Sequence, residues 1–124
     1  MIKANKKILI VEDDEDFLFI LQKKFTVEGF SIVIAKDGQE GISVAEKEKP
    51  DLIFSDILMP KVDGVTMAKK IREFNADVPI IFLTNTTDVD KTKTPESDKF
   101  EYIIKSNTQI DDIIAKAKAT LGLV

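Results

Sequence analysis

Five short apolar runs, I-L-I-V (8–11), F-S-I-V-I-A (30–35), L-I-F-S (52–55), V-P-I-I-F-L (78–83) and Y-I-I (102–104), alternate along the chain with segments of helical period. Each run has the length of a strand and is rich in β-branched or aromatic residues. A strand can return parallel to its predecessor only through a crossover, so the alternation predicts a parallel sheet with helices on both faces. The first, third and fourth runs are apolar almost throughout, as strands buried on both faces are.

The intervening segments carry helix signals. Phe17, Leu21 and Phe25 repeat every four residues with Leu18 on the adjoining row, Asp14 stands as N-cap, and Gly29 closes the segment. The second helix opens at Asp37 with Glu40 three residues on, a capping-box pattern, and turns Ile42 and Ala45 inward. The third opens near Asp63 and packs Met67, Ala68 and Ile71. The last is expected to start at Thr108 with Asp111 at its third position, and carries the stripe Ile110, Ile113, Ile114, Ala117 and Leu121. The fourth crossover differs. Residues 85–100 read N-T-T-D-V-D-K-T-K-T-P-E-S-D-K-F, rich in residues that form helix interiors poorly. The expectation there is a mobile loop from Asn85 to Lys93, then a short helix opened by Thr94-Pro95.

Composition narrows the chemistry. A chain of 124 residues is the size of one domain. Without Cys or His it has no disulfide, thiolate metal site, cysteine nucleophile, histidine base or phosphohistidine of its own. A net charge of −4 argues against a nucleic-acid-binding surface. No apolar run approaches the roughly 18 residues needed to span a bilayer, and the first residues lack the apolar core of a signal peptide. A cytoplasmic protein is expected.

Ligands in an open parallel sheet bind at the carboxyl ends of the strands, where strand order reverses. Glu12 and Asp13 follow the first strand, Asp56 the third, Thr84 the fourth and Lys105 the fifth. Taken singly, an acidic residue after a strand is most often a helix cap, as Asp14 is read. Four strands delivering such residues to one rim are not accounted for in that way. Two carboxylates about 4 Å apart repel by roughly 4 kcal/mol at an effective dielectric near 20. Lys105 alone does not balance three of them. A hard divalent cation with oxygen ligands is the natural complement, and Mg²⁺ suits a small carboxylate cluster with positions left for water and a phosphoryl oxygen.

Together, the fragments I-L-I-V-E-D-D, L-I-F-S-D-I-L-M-P-K-V-D-G, I-I-F-L-T-N and Y-I-I-K resemble the receiver domain of two-component response regulators, and the resemblance spans essentially the whole chain. It implies an α/β, doubly wound, five-stranded parallel sheet of order 2-1-3-4-5, flavodoxin-like, here with an atypical short or mobile fourth helix, in a single domain over residues 1–124. It further implies that Asp56 accepts a phosphoryl group from the phosphohistidine of a sensor histidine kinase or phosphotransfer protein. By the same resemblance Glu12, Asp13, Asp56 and the backbone carbonyl of Leu58 hold Mg²⁺, Lys105 and Thr84 contact the phosphoryl oxygens, and Thr84 and Tyr102 switch an output surface formed by the fourth crossover, the fifth strand and the last helix. The implied role is a signalling phosphoacceptor, not an enzyme acting on a separate substrate.

Three positions depart from the family pattern: Ser106 where a proline is usual, Asn85 where a small residue is usual, and the polar segment before Tyr102. Other classes fit less well. A phosphohydrolase that uses an aspartyl phosphate wants a second acid two residues after the nucleophile, where Leu58 stands. A flavin-binding carrier wants a phosphate loop after the first strand, where E-D-D stands. The alternative closest to the main reading is a phosphorylation-independent pseudo-receiver that serves as an interaction module.

Overall fold

The computed structural model describes residues 6–59, 61–84, 100–105 and 108–123. They form β1 (Lys7–Val11), α1 (Glu15–Val27), β2 (Ser31–Ala35), α2 (Gly38–Glu48), β3 (Leu52–Asp56), α3 (Gly64–Phe74), β4 (Ile80–Thr84), β5 (Phe100–Ile104) and α4 (Ile110–Thr120). All pairings are parallel, in the order β2-β1-β3-β4-β5. The expected sheet is therefore observed. The loop and short helix expected between residues 85 and 99 lie outside the described residues, as do Asn85 and Ser106.

Strand parity divides the core into two layers. Ile8, Ile10, Leu52, Phe54, Ile81 and Leu83 face Leu18, Leu21, Phe25, Ile113, Ile114 and Ala117 of α1 and α4. Leu9, Val11, Ile53, Ile80 and Phe82 face Ala45, Met67, Ala68 and Ile71 of α2 and α3. β1, β3 and β4 are buried along nearly their whole length, whereas β2 and β5 at the edges are only partly covered. Helices on both faces make this so, since they cover the middle of the sheet first.

The N-caps predicted at α1, α2 and α3 form, but the capping box expected at α2 does not close on Asp37, because the Glu40 side chain accepts the Lys36 amide at 2.6 Å instead. Asp14 accepts from the Asp16 and Phe17 amides, Asp37 from the Glu40 amide, and Asp63 from the Thr66 amide. At the far end of α1, Gly29 takes φ +96°. The Phe30 amide then reaches the Phe25 carbonyl at 3.1 Å and the Gly29 amide the Thr26 carbonyl at 3.0 Å, a Schellman closure. The Phe25 and Phe30 rings meet edge-on at 5.6 Å across it.

Some boundaries shift from expectation for identifiable reasons. Phe30 belongs to that closure, so β2 starts at Ser31. The Val78 amide is taken by Asn75 and its carbonyl by Arg72, and Pro79 has no amide to give, so β4 starts at Ile80; it ends at Thr84, one residue later than expected. β5 starts two residues earlier than expected because Phe100 and Glu101 pair with Ile80 and Ile81. The last helix is capped by Gln109 and not Thr108. The Thr108 amide is engaged in a turn to the Lys105 carbonyl, and Asp112, not Asp111, returns to the Gln109 amide at 3.3 Å.

Candidate functional site

β1 and β3 are neighbours although consecutive strands leave them in opposite directions, and the groove above their carboxyl ends is the switch point of the sheet. Glu12 follows β1 directly, its amide donating to the Ala35 carbonyl at 3.0 Å. That bond draws Glu12 into the protein, and only 1% of the residue is exposed. Asp13, one residue on, is exposed on the rim. Asp56 is the last residue of β3, in register with Leu83 of β4. One carboxylate oxygen from each of Glu12, Asp13 and Asp56 can be chosen so that all three lie within 4.8 Å of one another.

Lys105 reaches this cluster from the end of β5. Its ammonium donates to Glu12 Oε1 at 2.8 Å and to Asp56 Oδ2 at 3.4 Å, with its side chain only 10% exposed. The other oxygens are engaged locally: the Asp14 amide donates to Glu12 Oε2 at 3.1 Å, and the Ile57 amide donates to Asp56 Oδ1 at 2.8 Å. Burial pushes the Glu12 carboxyl above its ordinary value, and its bonds to Lys105 and Asp14 offset only part of that. Burial opposes the charge on Lys105 too, but its hydrogen bond to Glu12 and the attraction of Glu12 and Asp56 outweigh it, so the Lys105 ammonium is held above its ordinary value.

The loop after β3 is tied down by glycine. The Gly64 amide donates to the Ile57 carbonyl at 2.7 Å, and a Cβ at position 64 would lie 2.2 Å from the Asp56 carbonyl oxygen. No side chain fits there without moving the backbone of Asp56, which explains Asp63-Gly64 at the start of α3. The Leu58 side chain points into solvent and is 77% exposed.

Thr84 ends β4 and is buried, in register with Ile104, the residue before Lys105. Tyr102 pairs with Phe82 two residues back on the same strands, and its ring lies 5.4 Å from that of Phe82. Strand alternation therefore sends Thr84, Phe82 and Tyr102 to one face of the sheet. The sequence-predicted residues Glu12, Asp13, Asp56 and Lys105 converge on one cluster, Thr84 ends the neighbouring strand, and Tyr102 stands one step behind the rim.

The structure adds a residue that spacing did not single out. The Lys105 ammonium sits 4.4 Å from the centre of the Phe17 ring, in the first turn of α1. The sequence presents Phe17 only as part of a core stripe, and it is in fact half-buried at the end of that core.

Residues 8–118 match the response regulator receiver domain. The chain belongs to this family. The receiver is 36% identical over 118 residues to the alkaline phosphatase synthesis transcriptional regulatory protein PhoP of Bacillus subtilis, a match that covers 94% of this chain and 49% of that protein. It spans about half the length of the curated relatives it matches. A two-component response regulator from Clostridium difficile superposes with a TM-score of 0.84 at 33% identity, covering 94% of this chain and 96% of that one. The response regulator TrrA of Thermotoga maritima, solved in complex with Mg²⁺-BeF, superposes with a TM-score of 0.77 at 30% identity, covering 92% and 97%. Receivers are signalling proteins, and no described helix of this one is long and apolar enough to cross a membrane.

Proposed function

We propose that this receiver, acting over its 124 residues as one unit, takes a phosphoryl group on Asp56 from the phosphohistidine of a sensor histidine kinase or a phosphotransfer protein. The observation that carries this reading is the setting of Asp56. Its carboxylate ends a central strand at the switch point, bonded by the Ile57 amide and by Lys105, and it keeps 13% of its side chain exposed where Glu12, bonded in a similar way, keeps 1%. An ionised Asp56 oxygen attacks phosphorus as the P–N bond to the donor imidazole breaks. The imidazole keeps that bond's electrons and takes up a proton, and Asp56 becomes an acyl phosphate. Lys105, already 3.4 Å from Asp56 Oδ2, is placed to meet negative charge on the transferring group.

The donor set also suits Mg²⁺. Among the described residues three carboxylates face a single ammonium, which leaves uncompensated negative charge and hard oxygen ligands. In this reading Glu12, Asp13, Asp56 and the Leu58 carbonyl hold the ion, Asp13 being the exposed member. When bound, Mg²⁺ would neutralise charge on the phosphoryl oxygens. Thr84, buried at the neighbouring strand end, is the hydroxyl that would bond a phosphoryl oxygen, and Tyr102 on the same face would follow it inward and change the surface along β5 and α4. This chain works in the cytoplasm in the same reading, and at its net charge of −4 it does not itself bind nucleic acid.

Incubation with acetyl phosphate and Mg²⁺ followed by intact mass measurement tests the proposal. Wild type should gain the mass of one phosphoryl group, and neither Asp56→Asn nor a sample treated with a chelator should gain it. Wild type without the adduct, or an adduct that persists in Asp56→Asn, overturns the assignment.

A further inference from the structure

We infer that Phe17 is a positioning residue for the Lys105 ammonium, joined to it in a closed circuit of contacts that runs through Asp14 and Glu12. The inference rests on the reading of Asp56 above and concerns what holds its neighbour in place. The circuit runs through four residues. Lys105 Nζ donates to Glu12 Oε1 at 2.8 Å. Glu12 Oε2 accepts the Asp14 amide at 3.1 Å. Asp14 Oδ1 accepts the Phe17 amide at 3.2 Å. The Phe17 ring closes the loop by lying under the same ammonium at 4.4 Å.

Each link restrains a different freedom. A lysine ends in a point charge on a flexible four-carbon stem, and carboxylates on one side leave it free to swing along them. The negative face of an aromatic ring on the other side opposes that swing. The backbone that carries the ring is fixed in a helical turn by the Asp14 cap, and the ring itself packs against the core beneath α1 and α4. Asp14 therefore does more than end a helix. Its amide bonds the back of Glu12 and its carboxylate sets the turn that carries Phe17, so the cap and the Lys105 pair form one unit. Leucine at position 17 would fill much of the same space and offer no π face, whereas tyrosine would keep it.

The contact and its consequence can be measured separately. In proton NMR, the side-chain methylenes of Lys105 nearest its ammonium should be shifted upfield by the ring in wild type, in Phe17→Tyr and in Asp56→Asn, and should lose that shift in Phe17→Leu. With acetyl phosphate and Mg²⁺, Phe17→Leu should take up phosphoryl about five-fold more slowly and Phe17→Tyr within about two-fold of wild type, the scale of a partly desolvated cation–π contact. In a Lys105→Ala background Phe17→Leu should slow the reaction no further, since the ring acts through the ammonium.

A wild-type rate in Phe17→Leu, an undiminished slowing by Phe17→Leu in the Lys105→Ala background, or Lys105 methylenes without an upfield shift in wild type overturns the inference. Should wild type gain no phosphoryl group at all, the reading of Asp56 falls, and the NMR shift alone decides whether Phe17 holds Lys105.

Discussion

Two lysine–glutamate pairs sit at opposite ends of the same sheet. At the carboxyl end Lys105 meets Glu12 at 2.8 Å, and at the amino end Lys7 meets Glu48 at 2.9 Å. The distances are nearly equal, yet the Glu12 carboxyl is pushed above its ordinary value while that of Glu48 is held below it. The difference is solvent. The Glu12 side chain is 1% exposed and that of Glu48 32%. At Glu48 the bond to Lys7 leads and little desolvation opposes it; at Glu12 desolvation leads and the lysine offsets only part of it. A pair of the second kind holds charge near the protein at little cost. A pair of the first kind is costly to maintain, as expected of a group arranged for chemistry.

The largest effect should come from removing each lysine in turn. Lys105→Ala leaves Glu12 buried with only the Asp14 amide and Asp56 without its cation. Urea unfolding at neutral pH should show a loss of about 3 kcal/mol, the cost of an uncompensated buried charge. Lys7→Ala breaks a solvated pair and should leave the unfolding midpoint nearly unchanged. Equal losses from the two variants would mean that burial does not separate them.

A smaller effect, of opposite sign at the two ends, should appear with pH. A carboxyl raised in the folded state binds its proton there sooner than in the unfolded chain. Glu12 therefore makes stability fall as pH rises from the ordinary carboxylate value of 4.5 through its higher folded value. Glu48 is depressed, so its contribution is fully present above 4.5 and is lost as pH falls through its lower folded value. Thermal melts across this range should show Glu12→Gln flattening the slope above 4.5 and Glu48→Gln flattening it below. A Glu12→Gln variant that keeps the wild-type slope above that pH would refute the assignment.

The sheet and the rim around Lys105 were legible in the sequence, whereas the Lys7–Glu48 pair was not, and the parts that were not have a physical cause. Alternating apolar runs and capped helices predict a parallel sheet, the resemblance to receiver domains supplies its order, and strand ends place Glu12, Asp56, Thr84 and Lys105 on one rim because strands in a parallel sheet share a direction. Boundaries slipped where a turn bond takes up an amide that the pattern assigns to an element, as at Phe30 and Thr108. The partnership of Phe17 with Lys105 was not readable, because helical period marks Phe17 as core and nothing local shows that a residue at the far end of the chain folds over it. The second bond of Asp14 was hidden for a related reason: a cap satisfies the local pattern, so no residue type is left over to suggest a further role.

Ionic strength should give the smallest effect. The Debye length shrinks from about 10 Å at 0.1 M salt to about 3 Å at 1 M, and screening acts on charges that ions can approach. The Lys7 and Glu48 side chains are 34% and 32% exposed, whereas the Lys105 side chain is 10% exposed and its glutamate less. Titration of the two glutamates by carboxylate NMR at both salt concentrations should therefore move Glu48 back toward its ordinary value and leave Glu12 in place. If Glu12 moved as far as Glu48, ions would be entering the rim, and the fixed contacts around Lys105 would not be what holds its charge there.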